Sequence, residues 1–129
     1  MWKYESMYCL DTSAVLEMIY GTDKGMKITS CVKGHPIFIS SFVVHELLVG
    51  LKEKEREQIS SFFQDVTILG YDGSAAQKSA EIHKLLKLSG TLINNVDIFI
   101  ASTCFVHGMT LLSCDADFKK IKGFDVLVY

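Results

Sequence analysis

The feature that most constrains the fold is the alternation of short apolar runs with longer segments of helical periodicity. The apolar runs lie at 7–10, 36–39, 66–69, 110–114 and 125–129. Each interval between them is long enough to hold a helix, and strands that are joined through helical crossovers run parallel. Because a parallel sheet buries both of its faces under helices, the alternation predicts an α/β fold with helices on both sides of a parallel sheet.

Capping residues place the helices between these strands. We predict helices over about 14–21, 23–32, 42–52, 53–63, 74–90, 96–107 and 116–121. Most of them begin next to Ser, Thr, Asp or Asn, and several end at Gly, as helices commonly do. The segment 96–107 is apolar nearly all round, which predicts a buried central helix.

Length and composition indicate one globular unit. The chain has 129 residues, of which 49% are hydrophobic and 22% charged, and a single proline, so we expect one domain over 1–129 without a linker. The net charge of −2 counts against a purely electrostatic nucleic-acid binder, but not against an enzyme whose bound cations supply positive charge locally. The apolar stretches are too short to cross a bilayer, so we expect a cytoplasmic protein without a membrane partner.

The four cysteines do not suggest a metal site. Cys9, Cys31, Cys104 and Cys114 form no CxxC pair, and most of them lie in apolar runs. The alternative, a zinc site, needs a spacing that this chain lacks. We therefore expect reduced thiols in the core.

Two acidic residues follow predicted strands. Asp11 directly follows the first strand and Asp115 directly follows the fourth. In an open parallel sheet, ligands bind outside the carboxyl ends of the strands. Both carboxylates are therefore expected at the functional edge of the sheet.

Two further acids lie on apolar helix faces. Glu46 has only apolar residues one turn away in its helix, and Asp97 is followed one turn later by Ile100 and Ala101. An ionised carboxylate that faces a core costs several kcal/mol unless it is paired or binds a metal. The single arginine, Arg56, belongs to a different, charged helix, and no lysine lies near either acid in the sequence.

A cluster of such carboxylates predicts a site for divalent cations. Converging carboxylates repel one another, and Mg²⁺ or Mn²⁺ relieves the repulsion because these ions prefer hard oxygen ligands and water. One or two such ions would activate a water molecule and stabilise the leaving oxygen of a phosphodiester. The four histidines are not spaced as a metal site or as an evident general base, and His45 is expected at the surface or behind the site.

Each acid also has a purely structural explanation. Asp11 can be a helix N-cap, Asp97 a first-turn acid that the helix dipole favours, and Asp115 and Asp117 turn or cap residues. Glu46 has no such role, because it lies inside its helix. Taken together, the acids are better explained as one catalytic constellation than as separate structural residues.

The acids lie in four segments of the chain: YCLDTSAVLEMIYG, FISSFVVHELLVGL, NNVDIFIASTCFVHG and LLSCDADFKKIKGFDVL. These segments resemble the successive motifs of PIN domains, and most of all those of the small VapC-type toxin ribonucleases of prokaryotic toxin–antitoxin pairs. They cover almost the whole chain. Patterns such as D-T-S or D-x-D-F occur widely by chance, but four motifs in order at the family spacing are specific.

The resemblance implies a three-layer α/β/α sandwich with a five-stranded parallel sheet, and Mg²⁺- or Mn²⁺-dependent cleavage of single-stranded RNA. Asp11, Glu46, Asp97 and Asp115 match the acidic set of the family, and Asp117 matches a less strict further acid. Ser13 and Ser113 match positions where the family often has a hydroxyl that touches the metal shell or the phosphate. The family usually forms homodimers and is inhibited by a small antitoxin protein that inserts into the active-site groove.

The chain departs from the family pattern in features that bear on substrate preference and leave the acids unchanged. Cys114 occupies a position that is often basic, and Ser102 follows Ile100 and Ala101 where relatives often have a second alanine. With one arginine, RNA contacts fall to lysines, with Lys24, Lys27, Lys119 and Lys120 as candidates.

Other functions fit the sequence less well. A haloacid-dehalogenase-like phosphatase would need an acid at position 13, which is Ser13, and a receiver domain would need an acidic pair at the first strand. No glycine-rich phosphate loop is present. Two alternatives remain open: a PIN-fold nuclease of RNA processing outside a toxin–antitoxin pair, and a non-catalytic PIN-like module for protein association.

Overall fold

The computed structural model describes residues 6–129. The strands are β1 (Tyr8–Leu10), β2 (Ile37–Ser40), β3 (Thr67–Leu69), β4 (Thr110–Ser113) and β5 (Val126–Val128). The helices are α1 (Thr12–Tyr20), α2 (Asp23–Val32), α3 (Ser41–Val49), α4 (Arg56–Gln64), α5 (Gly73–Leu88) and α6 (Asn95–Val106), with 3₁₀ helices at Glu53–Glu55 and Ala116–Lys120. The predicted succession of elements is confirmed, with boundaries that differ by a few residues.

The five strands form one parallel sheet in the order β3-β2-β1-β4-β5. The chain winds outward from β1 through β2 to β3 and then crosses back to β4 on the other side of β1. Because crossovers between parallel strands are right-handed, the helices of these two halves cover opposite faces of the sheet. The predicted α/β/α architecture is confirmed, and the carboxyl ends of β1 and β4 lie next to each other where the strand order reverses.

Side-chain caps start the helices that follow strands and turns. The N-cap residues whose side chains accept a hydrogen bond from the first helical turn are Asp11, Thr22, Ser40, Asp72 and Asn94. Each satisfies a backbone N–H that has no partner within the helix. Gly21 ends α1 in the left-handed conformation, with φ of 66°, where its N–H reaches back to the last turn.

Part of the core lies between the sheet and α6, as predicted for the apolar helix. Ile98, Ile100, Ala101 and Cys104 of α6 are buried, as are Leu111 and Leu112 of β4. Ser102 and Thr103 are buried too, and their hydroxyls donate to carbonyl oxygens one turn earlier in the helix. Their burial therefore leaves no hydroxyl without a partner.

The charged segment after α3 differs from its prediction as one continuous amphipathic helix. A 3₁₀ helix at Glu53–Glu55 precedes α4, and Glu55 is buried at 4% exposure although its neighbours are exposed. A hydrogen bond from Tyr20 and the N–H of Lys52 lower the pKa of Glu55. Tyr20 lies 35 residues earlier in the chain, so local sequence carried no sign of this contact.

All four cysteines are free, and two of them belong to the core. Cys9 and Cys104 are buried, whereas Cys31 and Cys114 are half-buried. Within residues 6–129, no helix has the length and apolar character that crossing a bilayer requires.

Candidate active site

Asp11 follows β1 directly and is held by three donors. Its Oδ1 accepts from the Ala14 N–H at 2.9 Å and from the Ser13 hydroxyl at 2.8 Å, and its Oδ2 accepts from the Ser113 hydroxyl at 2.6 Å. Burial raises the pKa of Asp11, and these hydrogen bonds oppose the rise. Asp11 is thus an N-cap, as its structural explanation predicted, and it also lies at the functional edge of the sheet.

Ser13 and Ser113 connect this carboxylate to the end of β4. The N–H of Cys114 donates to the Ser13 hydroxyl at 3.0 Å, and the N–H of Asp115 donates to the Ser113 hydroxyl at 2.9 Å. Each hydroxyl therefore accepts a hydrogen bond from the backbone after β4 and donates one to the Asp11 carboxylate after β1. The arrangement fixes the orientation of Asp11 and the start of the loop that carries Asp115.

Asp115 and Asp117 lie on the loop and 3₁₀ helix after β4. Oδ1 of Asp115 accepts from the N–H of Asp117 at 2.9 Å, so Asp115 caps the 3₁₀ helix. Asp117 forms an ion pair with Lys120, with 3.0 Å between Oδ1 and Nζ, and both side chains are about half exposed. Within residues 6–129, Asp117 is therefore the one of the five predicted acids that forms an ion pair with a cationic side chain.

Glu46 is placed by α3 and oriented by a residue that was predicted only as part of a helix cap. The Thr12 hydroxyl donates to Oε1 of Glu46 at 2.6 Å. Thr12 is the first residue of α1, so this bond joins the helix after β1 to the helix after β2. The D-T-S motif contained the residue, but its contact with Glu46 depends on how the two helices pack.

An aromatic cluster joins α3 to α6 beside these acids. Phe42, Tyr71 and Phe99 lie with ring centroids 5.1–5.3 Å apart. Phe42 is one turn before Glu46, and Phe99 is two residues after Asp97. Packing of these rings thus holds α3 against α6, the helices that carry Glu46 and Asp97.

Asp97 lies within electrostatic range of the other four acids. Desolvation, together with the negative charges of Asp115, Asp11, Glu46 and Asp117, raises the pKa of Asp97 to about 6. Asp97 is the acid in the first turn of α6, where the helix dipole favours its ionised form, yet burial and these charges raise its pKa. The charges of the other four predicted acids therefore reach Asp97.

The donor set suits a hard divalent cation. Carboxylate and hydroxyl oxygens are the ligands that Mg²⁺ and Mn²⁺ prefer, and a cation would relieve the repulsion that raises the pKa of Asp97. Within residues 6–129, however, no three Asp, Glu, His or Cys side chains are arranged closely enough to hold an ion by themselves. The arrangement fits an ion that keeps several water molecules and takes one or two carboxylates directly.

Among the histidines and candidate lysines of residues 6–129, Lys120 is the one that forms an ion pair with an acid of this set. His45 is exposed on α3, as expected. Half-buried His35 packs edge-on against Tyr8 near the start of β2, and its buried Nδ1 has no hydrogen-bond partner within residues 6–129. Lys27 and Lys119 are exposed and make no ion pair within residues 6–129. Lys120 contacts the site through Asp117.

Comparison with known proteins identifies the family. The family model for the PIN domain matches residues 8–123. The chain belongs to the PIN-domain family. It is 30% identical to "Ribonuclease VapC1" of Rickettsia felis, with 92% of each chain covered, and 26% identical to "Ribonuclease VapC1" of Methanocaldococcus jannaschii, with 98% of this chain and 90% of that one covered.

Among solved structures, this PIN domain is similar to the crystal structure of VapBC2 from Rickettsia felis bound to a DNA fragment from its promoter. The TM-score is 0.83 at 26% identity, over 95% of this chain and 98% of that one. The predicted resemblance to VapC-type PIN domains is thereby confirmed, and so are the predicted fold and the predicted class of enzyme, an endoribonuclease.

Proposed function

We propose that this PIN domain cleaves single-stranded RNA at a divalent metal centre that Asp11, Glu46, Asp97 and Asp115 hold. The observation that carries the proposal is the position of Asp97, a half-buried carboxylate whose pKa desolvation and the charges of four other acids raise to about 6. A bound divalent cation would offset this repulsion. The relatives named as VapC ribonucleases support RNA as the substrate.

The protein side chains divide the work by their position. Asp11 is rigidly oriented by three donors and suits a direct ligand. Asp97 and Asp115 approach it from α6 and from the loop after β4, and Glu46 completes the set from α3, directly or through water. Asp117 is paired with Lys120, so we assign it the outermost role. Ser13 and Ser113 keep Asp11 and the β4 loop in place.

One or two bound Mg²⁺ or Mn²⁺ ions would supply Lewis acidity for the attacking water and for the departing phosphodiester oxygen. The protein contributes orientation and negative charge that positions the cation. It needs no side-chain nucleophile, and none of the described serines is paired with a histidine as a nucleophile and base would be. The reaction is therefore hydrolysis of a phosphodiester bond at the carboxylates, and lysines next to them would contact the phosphates of the RNA backbone.

Cleavage of a labelled single-stranded RNA tests the proposal. The wild-type protein is expected to cleave with Mg²⁺ or Mn²⁺ and to stop in EDTA, and Asp11→Asn and Asp97→Asn are each expected to abolish cleavage. Asp65→Asn is the matched control, because Asp65 is an exposed carboxylate at the end of α4. Cleavage that survives both site substitutions, or that persists in EDTA, contradicts the proposed centre.

Thermal unfolding separates this function from a non-catalytic PIN-like module. A cation that binds only the folded protein raises its melting temperature, and the rise grows with the ratio of the cation concentration to its dissociation constant. We expect millimolar Mn²⁺ to stabilise the wild type and Asp65→Asn, but to have little effect on Asp97→Asn. The absence of any shift would favour the module for protein association.

We further propose a VapC-type toxin that works in the cytoplasm, forms a homodimer and is inhibited by a small antitoxin. The support is the similarity to VapC proteins and to a VapBC complex. Large apolar side chains such as Val49 and Met26, 73% and 59% exposed, are surface that a partner would bury. Growth arrest on expression, lost in Asp11→Asn, and a dimer mass by light scattering are the expected results; cleavage without growth arrest would favour an RNA-processing role.

A further inference from the structure

A cleft lies between α5 and the end of the segment that carries Asp117. Its volume is about 170 Å³, and its walls include Lys78 and Leu85 of α5, Phe105 of α6, and the consecutive residues Lys120, Ile121 and Lys122. The cleft is distinct from the acidic edge, since none of the five acids lines it. Its walls combine an apolar surface with ammonium groups.

The charge in this cleft is opposite to that of the acidic edge. Three lysines line it against one carboxylate, Glu81, which is already paired with Lys78 at 3.2 Å. Lys78 also lies 4.0 Å from the centre of the Phe105 ring. Lys120 is paired with Asp117 outside the cleft, whereas Lys122 forms no ion pair within residues 6–129, so the lining itself carries more positive than negative charge in a protein whose net charge is −2. An anionic ligand is therefore the occupant that this surface favours.

Lys120 connects the cleft to the proposed active site. It lines the cleft and forms the 3.0 Å ion pair with Asp117. A strand whose scissile phosphate lies at the acids would therefore meet Lys120 at the boundary of the site. Beyond that boundary it would meet Lys122 and the apolar wall.

We infer that this cleft binds the nucleotides of a single-stranded RNA that flank the scissile phosphate. The inference rests on the proposed function. Lys120 and Lys122 contact backbone phosphates, and Leu85 and Ile121 pack against ribose or base. A flexible single strand fits such a cleft because its bases are not held in a duplex.

The cleft has little capacity to read base identity. The Phe105 ring stacks on Phe124, with centroids 5.9 Å apart, and also contacts the ammonium group of Lys78. Because Phe105 already has these partners, it lines the cleft and does not stack on a base. The single carboxylate, Glu81, is held by Lys78. Binding here therefore adds affinity and direction for the strand across sequences, as phosphate contacts do.

Single-turnover cleavage of a labelled RNA oligonucleotide, with the protein in excess, tests the inference. Lys122→Glu is expected to raise the half-saturating protein concentration by roughly threefold to tenfold and to leave the maximal rate unchanged. Lys33→Glu, at an exposed lysine after α2, is the control and should behave as wild type. Lys122→Ala should also lower the slope of log affinity against log salt by about 0.7, the loss of one phosphate contact on a single strand.

A second pair of variants tests the apolar wall on one helix. Leu85 lines the cleft at 56% exposure, whereas Leu88, at 85% exposure, lies three residues away and outside it. Leu85→Ser is expected to raise the half-saturating concentration about threefold or more, and Leu88→Ser should leave it unchanged. Because both side chains are exposed, neither change is expected to prevent folding, which far-ultraviolet circular dichroism checks.

The outcomes separate this inference from the function on which it rests. If Asp97→Asn abolishes cleavage but Lys122→Glu and Lys33→Glu have the same half-saturating protein concentration, RNA binding in the cleft is disproved and the proposed function stands. A wild type that cleaves no RNA overturns both. If Leu85→Ser changes the oligomeric mass or loses a protein partner while RNA half-saturation stays constant, the cleft is a protein-binding surface and the inference is wrong.

Discussion

The hydroxyl of Thr12 donates to Oε1 of Glu46 at 2.6 Å, across 34 residues of sequence. Thr12 immediately follows Asp11 in the chain, so one short segment supplies a proposed metal ligand and the residue that orients another. A carboxylate that is free to rotate must be ordered before it can bind a metal ion, and this ordering weakens binding. The bond therefore makes Thr12 a positioning residue of the site.

Thr12→Val removes this hydroxyl at nearly constant side-chain volume. We expect cleavage activity, or the affinity for the activating Mg²⁺ or Mn²⁺, to fall by about 10–100-fold, as is typical when the partner of a metal-binding side chain is lost. Thr12→Ser keeps the hydroxyl and is expected to retain most of the activity. The measurement is the metal concentration for half-maximal cleavage, and equal values in Thr12→Val and wild type would remove Thr12 from the site.

Ser113→Ala breaks the connection between β4 and Asp11. It leaves Oδ2 of Asp11 and the N–H of Asp115 without their partner, in a part of the site that is fully buried at Ser113. Buried groups without partners cost about 1–3 kcal/mol, so we expect urea unfolding at neutral pH to show a loss of that size. Ser30→Ala, at an exposed serine of α2, is the control and should stay near the wild-type free energy of unfolding.

Asp97 makes the stability of the metal-free protein depend on pH. Its pKa is about 6 in the folded protein against 3.8 for an unperturbed aspartate, so the folded state holds the proton more tightly. The stability that this proton contributes is therefore fully present below about pH 3.8 and is lost as pH rises through about 6. In EDTA, Asp97→Asn is expected to melt higher than wild type at pH 7.5, while the difference shrinks toward pH 4. A wild type that melts as high as Asp97→Asn at pH 7.5 in EDTA would speak against the crowded carboxylates.

Gly25 is required for the contact between α1 and α2. A Cβ added there would clash with the backbone carbonyl of Glu17 in the facing helix, which has no side-chain freedom to move aside. Gly25→Ala is expected to lower the melting temperature strongly, because the helices must separate. Gly73→Ala meets nothing within 4 Å and lies in the first turn of α5, so it should leave the melting temperature unchanged or raise it slightly.

The proposed acids could be found from the sequence because each stands in a local context with a physical meaning. Asp11 and Asp115 follow strands, and Glu46 and Asp97 interrupt apolar helix faces. Hydrophobic periodicity determines which face of an element is buried and where the element ends. These local signals therefore placed the elements and the acids along the chain, including the succession of five strands and the cap at Asp11.

Only the tertiary structure decided the order of the strands and the partners of the acids. Every arrangement of five buried parallel strands satisfies the same apolar pattern, so the pattern alone does not place β4 beside β1. The Thr12–Glu46 bond, the Ser113–Asp11 bond and the buried Glu55 all join residues that are distant in the chain. Such contacts depend on how helices and strands pack against one another. The residue pattern within one element carries no information about which residues of another element it will contact.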